Sequence, residues 1–136
     1  MMTQPFVDAA LSLIGAPFRL HGRDAKTGLD CVGLIFAAMQ ESGYEAVAPN
    51  GYSMRALSVA PLLAFADASG LCPVERGGDI VLAQLCPVQI HLLAKVPGGH
   101  VHAHAGIGRV VFLPGRLPWP VKMQWRLPDF PPQTRS

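Results

Sequence analysis

Apolar positions recur at helical spacing through the first half of the chain and in short continuous or alternating runs through the second. Phe6, Ala9, Ala10 and Leu13 make one side of a first helix, with Thr3 as its cap, Pro5 in its first turn and Gly15 and Pro17 as its stop. A polar loop over 18–29 follows. Leu34, Ile35, Ala38 and Met39 then give the buried face of a second helix that begins at Cys31 and ends near Ser42-Gly43. After a loop with Pro49, Asn50 and Gly51, Leu57, Leu62, Phe65 and Ala68 predict a third helix. It is capped by Ser53 or Ser58, is regular from about Ser58, and ends at Gly70. Beyond Gly77-Gly78-Asp79 the pattern becomes that of strands, over 80–83, 89–96, 100–105, 109–113 and 121–127. Cys86-Pro87, Pro97-Gly98-Gly99 and Gly106-Ile107-Gly108 separate the first four. Short turns imply antiparallel hairpins. Helices first and strands after predict an α+β fold, with helices packed on one face of an antiparallel sheet of about five strands.

Composition narrows the class. At 136 residues the chain fits one domain, 1–136, whose last part, 114–136, is a Pro/Trp-rich extension with a frayed end over 131–136. Half the residues are hydrophobic and 15% are charged, which excludes a disordered chain. A net charge of +2 without a Lys/Arg cluster argues against a nucleic-acid partner. The most apolar stretch, 80–96, is broken by Gln84, Pro87, Gln89, His91 and Lys95, so no membrane span is expected. No basic segment precedes an apolar run at the N-terminus, so synthesis in the cytoplasm without a signal peptide is expected. Three cysteines, an odd number, fit a reducing compartment rather than a disulfide framework.

The candidate chemistry lies in one cysteine and a set of histidines. Gly28 permits a turn, Asp30 is placed to cap the helix, and Cys31 then falls in the first helical turn. A thiol there faces unpaired N–H groups and the positive end of the helix dipole, which predicts a lowered pKa and a site for an oxyanion. Cys72 and Cys86 each precede proline and read as small packing residues. His100, His102 and His104 alternate along one strand and share a face, and a hairpin through 97–99 brings His91 near one of them. A helix N-terminus over that sheet gives a Cys–His–His set, in which His91 takes the thiol proton and the second histidine fixes its tautomer. Two other readings stand beside it. The His-x-His-x-His run, with His91 or a cysteine, could bind zinc, or the strand histidines could simply be polar residues on a solvated face. His21 reads as a loop or rim residue.

The chain also resembles a known family. Leu13-Ile14-Gly15-Ala16-Pro17-Phe18-Arg19, Asp30-Cys31-Val32-Gly33-Leu34, Gly78-Asp79-Ile80-Val81-Leu82, His91 and His102-Ala103 occur in the order of the motifs of the NlpC/P60 cell-wall cysteine peptidases. Leu117-Pro118-Trp119-Pro120 and Gln124-Trp125-Arg126 are similar to the tail of its phage-type branch, the small peptidases of phage tails and gene transfer agents. The resemblance implies a papain-like α+β fold with Cys31 as nucleophile, His91 as base and His102 as the orienting third residue. His100 and His104 become neighbours lining the cleft. It also implies Asp30, Phe18 and Arg19 as substrate-binding residues, no metal and no cofactor. The implied reaction is hydrolysis of peptidoglycan stem peptides between D-glutamate and the diamino acid. Phage-like tail or baseplate proteins are the implied partners, and a particle would carry the enzyme to the cell wall. A tail-tip protein with a vestigial site, using Trp119 and the proline-rich end for docking, is the alternative. Three positions depart from the family pattern: Phe18 replaces a tyrosine, Val32 a serine, and Leu92-Leu93-Ala94 stands where a glycine is usual.

Overall fold

The apolar spacing of the first half becomes two helices that share a buried layer. In the computed structural model, which describes residues 4–47, 60–86 and 89–128, α1 (Gln4–Ser12) buries Phe6, Val7, Ala9 and Ala10, and Leu13 beyond its end is buried too. A short hairpin, β1 (Arg23–Asp24) and β2 (Gly28–Leu29), lies within the segment expected to be plain loop. It leads into α2 (Cys31–Glu41), which buries eight of its eleven residues and packs on α1. In α3 (Ala60–Ala68), Leu62, Phe65 and Ala66 are buried; Ala68, expected to pack, is exposed, and Ser69 is buried in its place. The expected features at Thr3, Pro49 to Ser58, Pro87 and residues 131–136 lie outside the described residues.

The strands are β3 (Cys72–Val74), β4 (Ile80–Cys86), β5 (Gln89–Val96), β6 (Gly99–His104), β7 (Arg109–Pro114) and β8 (Val121–Arg126). Among the described residues these six form one antiparallel sheet in the order β3-β8-β4-β5-β6-β7. The strand beyond the expected five is β3. Pro73 lacks an N–H, and β3 is an edge strand, where such a residue is tolerated. The segment after Pro114 is no appendage as far as Leu127. β8 sits between β3 and β4, Trp125 is buried in the core, and the Leu127 N–H donates to Asp79 Oδ2 at 2.9 Å.

Strand alternation divides the sheet into two faces. Ile90, Leu92, Ala94 and Val96 of β5 and Val101 and Ala103 of β6 join the core with Phe6, Leu34 and Ile35, so α1 and α2 cover that face. His91, Leu93 and Lys95 of β5 and His100, His102 and His104 of β6 alternate to the other face. Residues 115–120 return across that face, so that Leu117 and Trp119 share a pocket with Val81 and His100.

The crossing of the loop over α2 fixes where that helix begins. Phe18 pairs with Leu29, the Arg19 N–H donates to the Leu29 carbonyl at 3.2 Å, and the Leu29 N–H donates to the Pro17 carbonyl at 2.8 Å. The chain then turns at Gly22 directly over Gly33. A Cβ on Gly33 would collide with the Gly22 carbonyl oxygen, and a Cβ on Gly22 would collide with the Gly28 carbonyl. Contact this close between two backbones admits only glycine. Gly33→Ala is therefore expected to cost about 1–3 kcal/mol despite alanine's better helix propensity. Urea unfolding of the variant measures this, and an unchanged midpoint would contradict the crossing.

Candidate active site

Asp30 builds the site from below. It is fully buried, caps α2, and accepts the Gly33 N–H at Oδ1 (2.8 Å) and the His21 N–H at Oδ2 (2.7 Å). Arg23 Nη1 lies 3.5 Å from Oδ1. His21, exposed and at φ 62, thus serves the site through its backbone. The Asp30 carboxylate is committed inward, holding two backbone N–H groups, and has no exposed surface. Phe18 is half-buried and Arg19 exposed, on the segment beside Leu29.

The cap delivers Cys31 to the sheet. The β5–β6 ladder pairs only Ala94–Val96 with Gly99–Val101. Because the Lys95 N–H donates toward β4, to the Asp79 carbonyl at 2.8 Å, alternation turns the Leu92 N–H toward β6, past the end of that ladder. This N–H instead lies close to the Cys31 sulfur, where it favours the thiolate, as do the N–H groups of Val32 and Cys31 itself. The thiol therefore rests at the peptide group that links His91 to Leu92.

His91 and His102 form the second half of the site. Their rings meet edge to face with centroids 4.8 Å apart, and His102 Nε2 lies 3.1 Å from His91 Nδ1, a hydrogen bond between two buried side chains. His91 Nε2 is buried without a hydrogen-bond partner, which leaves that nitrogen available for a proton. His91, His102 and His104 line a cleft of about 310 Å³ together with Leu85 and Gln89. Cys31 has no exposed surface and does not line it; neither do Phe18 and Arg19.

This fold has a solved counterpart. It is similar to that of an NlpC/p60 domain. The crystal structure of the NlpC/p60 domain of the peptidoglycan hydrolase SagA aligns with a TM-score of 0.51 and 18% identity, over 81% of this chain and 86% of that one. No protein-family model matches the chain, and no curated protein does. The α+β architecture expected from the residue pattern, and the papain-like fold that the resemblance implies, are thus the ones observed, with six strands in place of five.

The electrostatics reverse one expectation. Burial pushes the Cys31 thiol up to about 12, and the nearby Asp30 charge adds to the rise, outweighing the three N–H groups that favour the thiolate. Burial also lowers His91 to about 4 and His102 to about 3, with the neighbouring histidines repelling added charge.

Other histidines divide. His104 lines the cleft, as expected, but His100 lines a separate pocket. Among the described residues no three His, Cys, Asp or Glu side chains converge on a point that could hold a metal ion, so the strand histidines do not make the zinc set their spacing allows. Cys72 is half-buried on edge strand β3 and Cys86 is exposed, so neither is the buried packing residue expected. Sequence reasoning placed Trp119 only in the alternative tail-tip reading, as exposed docking surface. It is half-buried, with its ring edge-on to His102 at a centroid distance of 5.7 Å. Its signal was its place in the Leu117-Pro118-Trp119-Pro120 segment.

Two measurements follow from these values. In a Cys72→Ser/Cys86→Ser background, iodoacetamide is expected to modify Cys31 about a thousandfold more slowly at neutral pH than in the urea-unfolded chain. Comparable rates in the two states would contradict a buried, protonated thiol. Stability should also depend on acid. Above pH 6.5 neither the folded nor the unfolded state protonates His91 or His102, so these groups leave stability flat. From 6.5 toward 4 the unfolded chain binds protons that the folded chain refuses, and stability falls by up to about 1.4 kcal/mol per pH unit per histidine. Urea titrations at pH 7 and pH 5 should show this fall, reduced in His102→Gln; an equal fall in wild type and variant would contradict it.

Proposed function

We propose that the chain is a cysteine peptidase that hydrolyses amide bonds in peptidoglycan stem peptides, of the D-glutamyl–diamino acid type. The observation that carries this reading is the thiol at a capped helix N-terminus, resting at the peptide N–H that follows a histidine whose own ring is held by a second histidine. The similarity in fold to a domain of a peptidoglycan hydrolase supports the substrate class, and the ordered motif resemblance supports the bond.

In this mechanism Cys31 attacks the scissile carbonyl carbon as its proton passes to His91. The oxyanion takes N–H groups at the start of α2, where Cys31 and the Leu92 peptide already present donors. His91 then protonates the leaving amine nitrogen as the C–N bond breaks, leaving a thioester. Water, giving its proton to His91, attacks that thioester; the acid departs and the sulfur regains its proton. His102 holds Nδ1 of His91 throughout, which fixes the ring and its tautomer. Because burial keeps thiol and imidazole neutral, the proton moves with the attack rather than before it.

The phage-type resemblance of the segment holding Trp119 and Trp125 extends the reading to a component of a phage-like tail or gene transfer agent, carried on the particle to the cell wall. Tail or baseplate proteins would then be its partners. The absence of exposed surface on Cys31 favours a second reading, a tail-tip protein of weak activity.

Mass spectrometry of muropeptides incubated with the wild type and with Cys31→Ala decides between them. Cleavage between D-glutamate and the diamino acid is expected, reduced at least about a thousandfold in the variant. Equal cleavage by the variant would overturn the nucleophile, and no cleavage by either protein would favour the tail-tip reading.

A further inference from the structure

The sheet face that carries His102 also bears a pocket separate from the cleft. It encloses about 280 Å³, and its walls include Lys95, His100, Arg116, Leu117, Trp119 and Val81. No acidic side chain lines it. Lys95 and His100 are cross-strand partners at the β5–β6 hairpin, so their side chains rise side by side from one face. Among the described residues neither Lys95 nor Arg116 has an ion-pair partner. His100 is 6% exposed, and its Nδ1 is buried with no hydrogen-bond partner. Two cations without a facing carboxylate leave the pocket with a positive charge that an anion would balance.

We propose that this pocket binds a carboxylate carried on a small apolar body. Arg116 offers the planar fork that matches a carboxylate and Lys95 adds a second charge, with the His100 ring forming part of the wall. Leu117, Val81 and the Trp119 indole form the apolar wall, and the volume suits a group the size of one amino-acid residue. The Lys95 charge already reaches His100: after burial it is the second cause of that ring's lowered pKa, and a bound anion would offset it. Trp119 touches His102 on its other side, so the bound ligand would lie one indole away from the histidine pair.

The experiment is an NMR titration of the whole chain, following the indole N–H signals of Trp119 and Trp125. The probes are N-acetylalanine, its uncharged methylamide, and inorganic phosphate. N-acetylalanine should shift the Trp119 signal saturably and leave the core Trp125 signal in place. The double variant Lys95→Gln/Arg116→Gln should weaken binding about tenfold or more. Both residues are exposed, and an unchanged Trp125 signal reports that the variant is folded. The absence of saturable binding, equal binding of the methylamide, or phosphate binding as tight as the carboxylate would each overturn the assignment. Turnover is not read, so this outcome is separate from that of the peptidase reading.

Discussion

A single buried carboxylate holds the site together. Asp30 takes two backbone N–H groups from opposite directions, one from the first turn of α2 and one from the loop at His21, and keeps Arg23 close. An ionised group fully removed from water persists only when its oxygens are satisfied. Here satisfying them closes the loop onto the helix. Gly22 and Gly33 make that closure sterically possible, and Cys31 is delivered to the sheet as a consequence. The carboxylate thus holds loop and helix together, and it also carries an electrostatic penalty, because its charge raises the thiol beside it.

The second constraint is dryness. Cys31, His91 and His102 are all buried, and burial acts on acid and base in opposite directions, raising the thiol and lowering the imidazoles. Both end in their neutral forms. A neutral pair preserves the fold at neutral pH, and the sulfur, with no exposed surface, stays outside the cleft that the two histidines line. The cleft that His91 and His102 line lies beside β5 and β6, where the ladder between the two strands is short. Trp119 is packed on His102.

Much of this was legible in the residues. Gly28, Asp30 and Cys31 announce a capped helix because turn and capping are local, and β5 falls where its apolar run and the Pro97-Gly98-Gly99 turn put it. What was not legible is long-range. β3 is three residues long, contains proline, and exists only because β8, some fifty residues later, pairs with it. The histidine-bearing face of the sheet, opposite the α1–α2 layer, is set by which residues pack on the helices. The fate of the thiol pKa turned on how completely the fold excludes water, which no spacing reveals. Trp119 was hidden for the same reason, since its contact with His102 depends on the path of residues 115–120 across the sheet.

The central claim is that the site rests as a neutral thiol and a neutral imidazole, with His91 bonded through Nδ1 to His102. NMR of the protein labelled at Cys31 Cβ and at the histidine ring nitrogens reads both states together at pH 7. The account predicts a thiol carbon shift for Cys31 and one protonated nitrogen on each of His91 and His102. A thiolate shift for Cys31 with both His91 nitrogens protonated would contradict it.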